Sequence, residues 1–263
     1  MFRYISFITK KKIIFNPIVK SISITDTHNI LSNSNTNNLY IYIDCYCDDE
    51  ELDIEHVLVI SCSSGNFELS QSIINKEDNI GIYYINRAFS FSCKNGHLNI
   101  AKLLCDKYPN IDVHFDGEYA FRYSCENGHI DVAKWLLNNF PNINVHIYGD
   151  YPFTRSCLNN QIDVVKWLYS SFSDIDIHKH NDMCFDICCE RNHIDICQLL
   201  CDNLLDIRVN NDNYLKIAKK HNNYNLIKYI CNLSPYYVLE TDGDIITGYT
   251  IRDNLNIKGR TIL

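Results

Sequence analysis

Cys184, Cys188, Cys189, His193 and Cys197 form the densest group of metal-ligating side chains in the chain. Thiolate and imidazole are ligands that zinc favours, so a structural metal centre is the first chemistry to weigh. Structural zinc sites usually pair close ligands as CxxC, and no such pair occurs here. Cys189 also falls in register with Cys62, Cys93, Cys125 and Cys157, so it belongs to a repeating series. A buried free cysteine behaves as a small hydrophobe. The expectation is therefore packing, with no metal and no cofactor. Cys45 and Cys47, beside Asp48 and Asp49, are read the same way.

The histidines and serines repeat too. His97, His129 and His193 each follow a short polar turn, and His114, His146 and His178 recur at matching places. Imidazoles titrate near neutral pH, so a charge-changing ladder is conceivable, but recurrence at one period assigns them to the scaffold. Ser92, Ser124 and Ser156 stand beside cysteines, yet no glycine elbow surrounds them. Neither a Walker loop nor a GxGxxG is present. The chain is not expected to be an enzyme.

These residues are placed by a repeat. Phe89, Phe121, Phe153 and Phe185 are spaced by 32 residues, with Leu58 and Leu215 as looser members. A period between about 20 and 50 residues signals stacked supersecondary units. Each unit reads as a first helix, a polar turn and a second amphipathic helix. The first helices fall at 56–62, 87–93, 119–125, 151–157, 183–189 and 213–219. The second carries Val132, Trp135, Leu136 and Asn139 at the spacing of a helix burying one face. Asp131, Asp163, Asp195, Asn99 and Asn225 stand at its start, where they complement orphan N–H groups and the dipole. Gly96 and Gly128 occupy a reversal that favours left-handed backbone, and Asn160, Asn192 and Asn222 take that place elsewhere.

Composition limits the alternatives. A net charge of -8 over 263 residues argues against nucleic acid, since phosphate binding needs clustered Lys and Arg. Lys10 to Lys12 read as a solvated run. No apolar run approaches the roughly 18 residues of a membrane span, and residues 1–20 lack the pattern of a signal peptide. Thirteen cysteines in a long chain then imply a reducing, intracellular compartment with free thiols.

YPFTRSC (151–157), CENGHIDVAKWLL (125–137) and NINVH (142–146) resemble the TPLHxAA, AxxGHxxVVxLLL and ADVNA segments of ankyrin repeats. The resemblance covers about residues 56–233. It implies an all-α, ankyrin-type helical solenoid of about six helix–turn–helix units with β-turn fingers. The units would be 56–86, 87–118, 119–150, 151–182, 183–212 and 213–233. Residues 1–55 would form an N-terminal segment, partly strand and loop, and 234–263 a C-terminal cap with a hairpin turn at Asp242–Gly243. The chain departs from the family where TPLH has histidine, carrying Ser90, Arg122, Thr154 and Asp186. Its divergence and its Asn, Ile and Tyr bias are similar to ankyrin-repeat proteins of giant DNA viruses, which would place it in host cytoplasm.

The family resemblance implies a non-catalytic scaffold that binds a partner protein along a concave groove of fingertips and first helices. The candidates are Phe115, Asp116, Glu118 and Arg122; Ile147, Tyr148, Asp150 and Thr154; and Lys179, His180, Asp182 and Asp186. Their mixture of aromatic and acidic types points to a partner with some positive charge. A protein partner, no nucleic acid, no membrane and a monomer are the expectations. The rival readings are a self-associating structural component and a Cys/His metal-binding protein.

Overall fold

The computed structural model describes residues 54–175, 179–202, 213–233, 237–243 and 245–251. The strand and linker readings for residues 1–53, His178 and the segment beyond residue 251 lie outside the described residues. The fold divides between Ile147 and Tyr148 into two compact units.

The first unit holds three helix pairs. They are α1 (Ile54–Ser63) with α2 (Phe67–Lys76), α3 (Ile82–Lys94) with α4 (Leu98–Lys107), and α5 (Phe115–Glu126) with α6 (Ile130–Asn139). First helices stack on first helices, α1 on α3 and α3 on α5, while α2 packs on α4. The second unit repeats the plan with α7 (Ile147–Leu158), α8 (Ile162–Ser171), α9 (Lys179–Glu190), α10 (Ile194–Asp202), α11 (Asn213–Lys220) and α12 (Tyr224–Leu233). Two antiparallel strands, β1 (Tyr237–Asp242) and β2 (Ile245–Ile251), then pack against α12. The all-α class read from the sequence is the observed class.

The 32-residue period marks the core. Leu58, Phe89 and Phe121 are buried in the first unit, and Phe153, Phe185 and Leu215 in the second. Each contributes on the order of 1.5–3 kcal/mol of burial. In the second helices the buried set is i, i+1, i+4: Ile100, Ala101 and Leu104, then Val132, Ala133 and Leu136, and so on to Leu226, Ile227 and Ile230. Trp135 is only half-buried and Asn139 is exposed. The helix turns Ala133 inward because a small residue allows close approach of its neighbour.

The turns explain the stacking. Gly65, Gly96 and Gly128 have φ of 77°, 79° and 82°, and Asn160, Asn192 and Asn222 adopt the same left-handed region. The His97 N–H then donates to the Ser92 carbonyl and the Gly96 N–H to that of Cys93, closing the first helix. Space matters as much as φ. A Cβ on Gly96 would lie 2.5 Å from His129 Nδ1, and one on Gly65 2.5 Å from the His97 ring. The histidine of each following pair thus sits where a side chain would begin.

Candidate interaction surface

The helix starts differ from the expectation for capping. His97, His129 and Gln161 occupy the N-cap, and none caps through its side chain. Asp131 and Asp163 instead sit inside the first turn, where they still complement the dipole. The histidines reach backwards. His97 Nε2 lies 3.1 Å from the Ser63 carbonyl, and His129 bonds that of Lys94. Asn95 and Asn127 donate to the same two carbonyls at 2.8 Å. In the second unit His193 Nδ1 lies 3.2 Å from the Cys157 carbonyl and Arg191 donates to Leu158 at 2.9 Å. These histidines join repeats. Burial holds both His97 and His129 below the ordinary imidazole value.

The thiols and hydroxyls are equally structural. Ser92 and Ser124 are buried and donate to the Phe89 and Phe121 carbonyls of their own helices. Burial pushes the Cys62 and Cys105 thiols up to about 12 and raises Cys93, Cys125 and Cys157 well above the ordinary range. Protonated thiols are poor nucleophiles and poor ligands. Cys184, Cys188, Cys189 and Cys197 are all buried. Among the described residues, no three His, Cys, Asp or Glu side chains converge on a metal position.

The fingers carry the polar candidates. α5 opens with a left-handed turn, with φ of 51° at Asp116, 60° at Gly117 and 60° at Glu118. α7 does the same at Tyr148, Gly149 and Asp150. In α3 the matching residues are Tyr84, Ile85 and Asn86, and none has positive φ. A β-branched Ile cannot take a conformation that glycine takes without steric cost.

That turn supplies the carbonyls that hold Arg122. Arg122 is 7% exposed; its Nε donates to the Gly117 carbonyl at 2.6 Å and Nη2 to that of Asp116 at 2.8 Å. Glu118 is 6% exposed. Its Oε1 accepts from Asn144 N–H at 3.1 Å, in the next finger, and lies 2.9 Å from His114 Nδ1. Asn86, one period earlier, likewise accepts from Asp112 N–H at 2.9 Å. Asn86 and Glu118 look different at this position only when whole side chains are compared. The tie needs only an acceptor oxygen.

Asp150 is buried too, at 3% exposure. Asp186 is half-buried, 2.7 Å from His221 Nε2 and 3.0 Å from Lys220 Nζ. Burial would raise its carboxyl, but the hydrogen bonds from His221 and Lys220 outweigh that and hold it below the usual range. Thr154, Phe115 and Ile147 are half-buried, Asp116 is exposed, and Tyr148 stands out at 66% exposure. The side chains of Lys179, His180 and Asp182 lie outside the described part of the structure. Of the described acidic candidates, Glu118 and Asp150 are thus turned inward and Asp186 is ion-paired, while Asp116 stays exposed.

In its place the first unit presents aromatic rings interleaved with cations. Tyr83, 53% exposed, meets Phe115 edge-on at 5.8 Å. Arg87 lies 5.5 Å from the Tyr83 ring and 5.5 Å from that of Phe91. Lys94 Nζ lies 5.0 to 5.9 Å from Phe91, Tyr119 and Tyr123, and it donates to Tyr119 Oη at 3.4 Å. The signal was legible: 83, 87 and 91 are i, i+4, i+8 on one helix face.

Residues 110–181 match the family model described as ankyrin repeats in three copies. The solved human ASB11 ankyrin repeat domain is similar in fold, with a TM-score of 0.51 and 16% identity, covering 66% of this chain and 82% of that one. This is the ankyrin-repeat fold. An ankyrin repeat family protein from Legionella pneumophila also aligns, with a TM-score of 0.47 and 14% identity over 89% of this chain and 76% of its own. No curated protein sequence matches the chain. Ankyrin repeats generally mediate protein–protein interaction and are typically non-enzymatic. Among the described residues, no helix is long and apolar enough to cross a membrane.

Proposed function

We propose that this ankyrin-repeat protein is a non-catalytic scaffold that binds a partner protein through its fingertips and first-helix faces. The observation that carries the reading is exposed aromatic surface where the repeat itself does not need it. Tyr83 and Tyr148 are more than half exposed, whereas the period-forming phenylalanines are buried. Tyrosine is enriched at energetic centres of interfaces. Tyr148 is also held at φ 50°, a conformation uncommon for non-glycine residues and often found where strain serves function. Phe115 meets Tyr83 in the first unit, where Asp116 and Ile147 also lie, and Thr154 belongs with Tyr148 to the second.

Glu118 and Arg122 are buried in the first unit and Asp150 in the second. The hairpin β1–β2 packs against α12 and serves as a cap, since stacked repeats need a closed terminus. The proposed state is a monomer in a reducing compartment. The compositional likeness to giant-virus ankyrin proteins makes a host protein the proposed partner.

Affinity purification from cell extract with wild type, Tyr83→Ala and Tyr148→Ala, each checked for fold by circular dichroism, tests the reading. At least one variant should lose an identified partner that wild type retains. The same partners at the same yield with both variants would remove this surface from consideration. Purification that brought back only further copies of the chain itself would favour the self-associating alternative.

A further inference from the structure

We propose that the first-helix face of the first unit takes an acidic protein segment, one whose carboxylates alternate with apolar side chains. This rests on the interaction reading above and names the chemistry of the partner. Lys94 has no carboxylate partner among the described residues. Its ammonium is surrounded by the rings of Phe91, Tyr119 and Tyr123 and spends one donor on Tyr119 Oη. Ring faces attract a cation but do not neutralise it. A full positive charge therefore sits, already positioned, on a half-buried apolar platform.

Arg87 also stacks on rings earlier on the same helix, 5.5 Å from Tyr83 and 5.5 Å from Phe91. Side chains pre-ordered by stacking lose less conformational freedom when a partner arrives. The acidic groups of the same faces leave the middle of the strip positive. Glu55 accepts from Gly81 N–H at 2.6 Å, and Glu118 is folded under its finger. Asp116 and Glu126 stand at the two ends of α5. In a chain of net charge -8 this is a local exception to the overall sign, and charge complementarity of that kind sets which partners dock. The surface offers cations for carboxylates and exposed rings for the apolar positions between them.

The test is selection from a random-peptide display library on the full chain, followed by titration of the selected peptides. Peptides enriched in Asp and Glu are expected. Lys94→Gln should weaken them about tenfold, and Lys94→Glu more; Arg87→Gln should weaken them in the same direction. Failure to enrich any peptide, enrichment without acidic residues, or acidic peptides that bind Lys94→Gln as well as wild type would each overturn the acidic-segment proposal. Tyr83→Ala separates the two levels. Non-acidic peptides lost on Tyr83→Ala would leave the interaction surface standing and remove only its acidic preference. Selected peptides indifferent to both Tyr83 and Lys94 would remove the surface as well.

Discussion

The starts of α3 and α5 occupy the same place in successive repeats of one unit, yet only one of them is left-handed. Both pass an acceptor oxygen to the next finger, Asn86 to Asp112 N–H and Glu118 to Asn144 N–H. They differ one helical turn further along. Arg122 fills its site with a guanidinium bound to two finger carbonyls, whereas Ser90, one period earlier, is buried with its hydroxyl unbonded. A repeat thus keeps its connection to the neighbour constant and varies the shape of the finger independently.

The largest expected effect breaks that variable part. Arg122→Ala should cost about 2–3 kcal/mol in a urea titration, because a buried guanidinium and its charge-assisted bonds to two finger carbonyls are lost. Ser90→Ala should stay within about 0.5 kcal/mol of wild type, since its hydroxyl has no bond to lose. Equal costs for the two would show that the arginine does not build the finger.

Next comes the constant part. Glu118→Ala and Asn86→Ala should each cost about 1–2 kcal/mol by leaving a backbone N–H unpaired, and Glu118→Gln, which keeps an acceptor, should cost less than Glu118→Ala. Amide hydrogen exchange should quicken at Asn144 in the first variant and at Asp112 in the second. Unchanged exchange there would remove the tie.

The junction beneath the fingers should be indifferent to their difference. Gly65→Ala and Gly96→Ala are each expected to cost about 1–2 kcal/mol, through positive φ and collision with a histidine ring. Similar values would show that neighbouring fingers do not alter the stack; a Gly96 cost far above that of Gly65 would contradict it.

The smallest effect is a pH dependence. Burial lowers the folded-state values of His97 and His129 below 6.5. As pH falls the unfolded chain takes up these protons first, so the stability they give is complete above about 6.5 and is lost through their lower folded values. The urea midpoint should drop between about pH 7.5 and about pH 5.5, and drop less in the His97→Asn/His129→Asn double variant. An identical drop in that variant would assign the effect elsewhere.

Much of the architecture was readable because it rests on residue types that allow few alternatives. Phe at 89, 121, 153 and 185, glycine or asparagine at the reversal and cysteine at the end of the first five of the six first helices are steric requirements of stacking. Gly117 and Gly149 sit in left-handed turns, where Ile85 keeps regular helical backbone. Trp135 and Ala133 were harder, because helical periodicity alone does not say which edge of the stripe meets a neighbour.

Linear order determined the fold, the period and the scaffold role of its thiols and histidines. Only the tertiary structure decided which polar residues of the surface face outward. Glu118, Arg122 and Asp150 carry charge, and in a linear pattern charged residues read as solvent-facing. The folded chain supplies partners instead, for Glu118 an N–H from the next finger and for Arg122 two carbonyls of the left-handed turn. Those partners are distant in sequence or exist only once the turn has formed, so no local pattern could have assigned them.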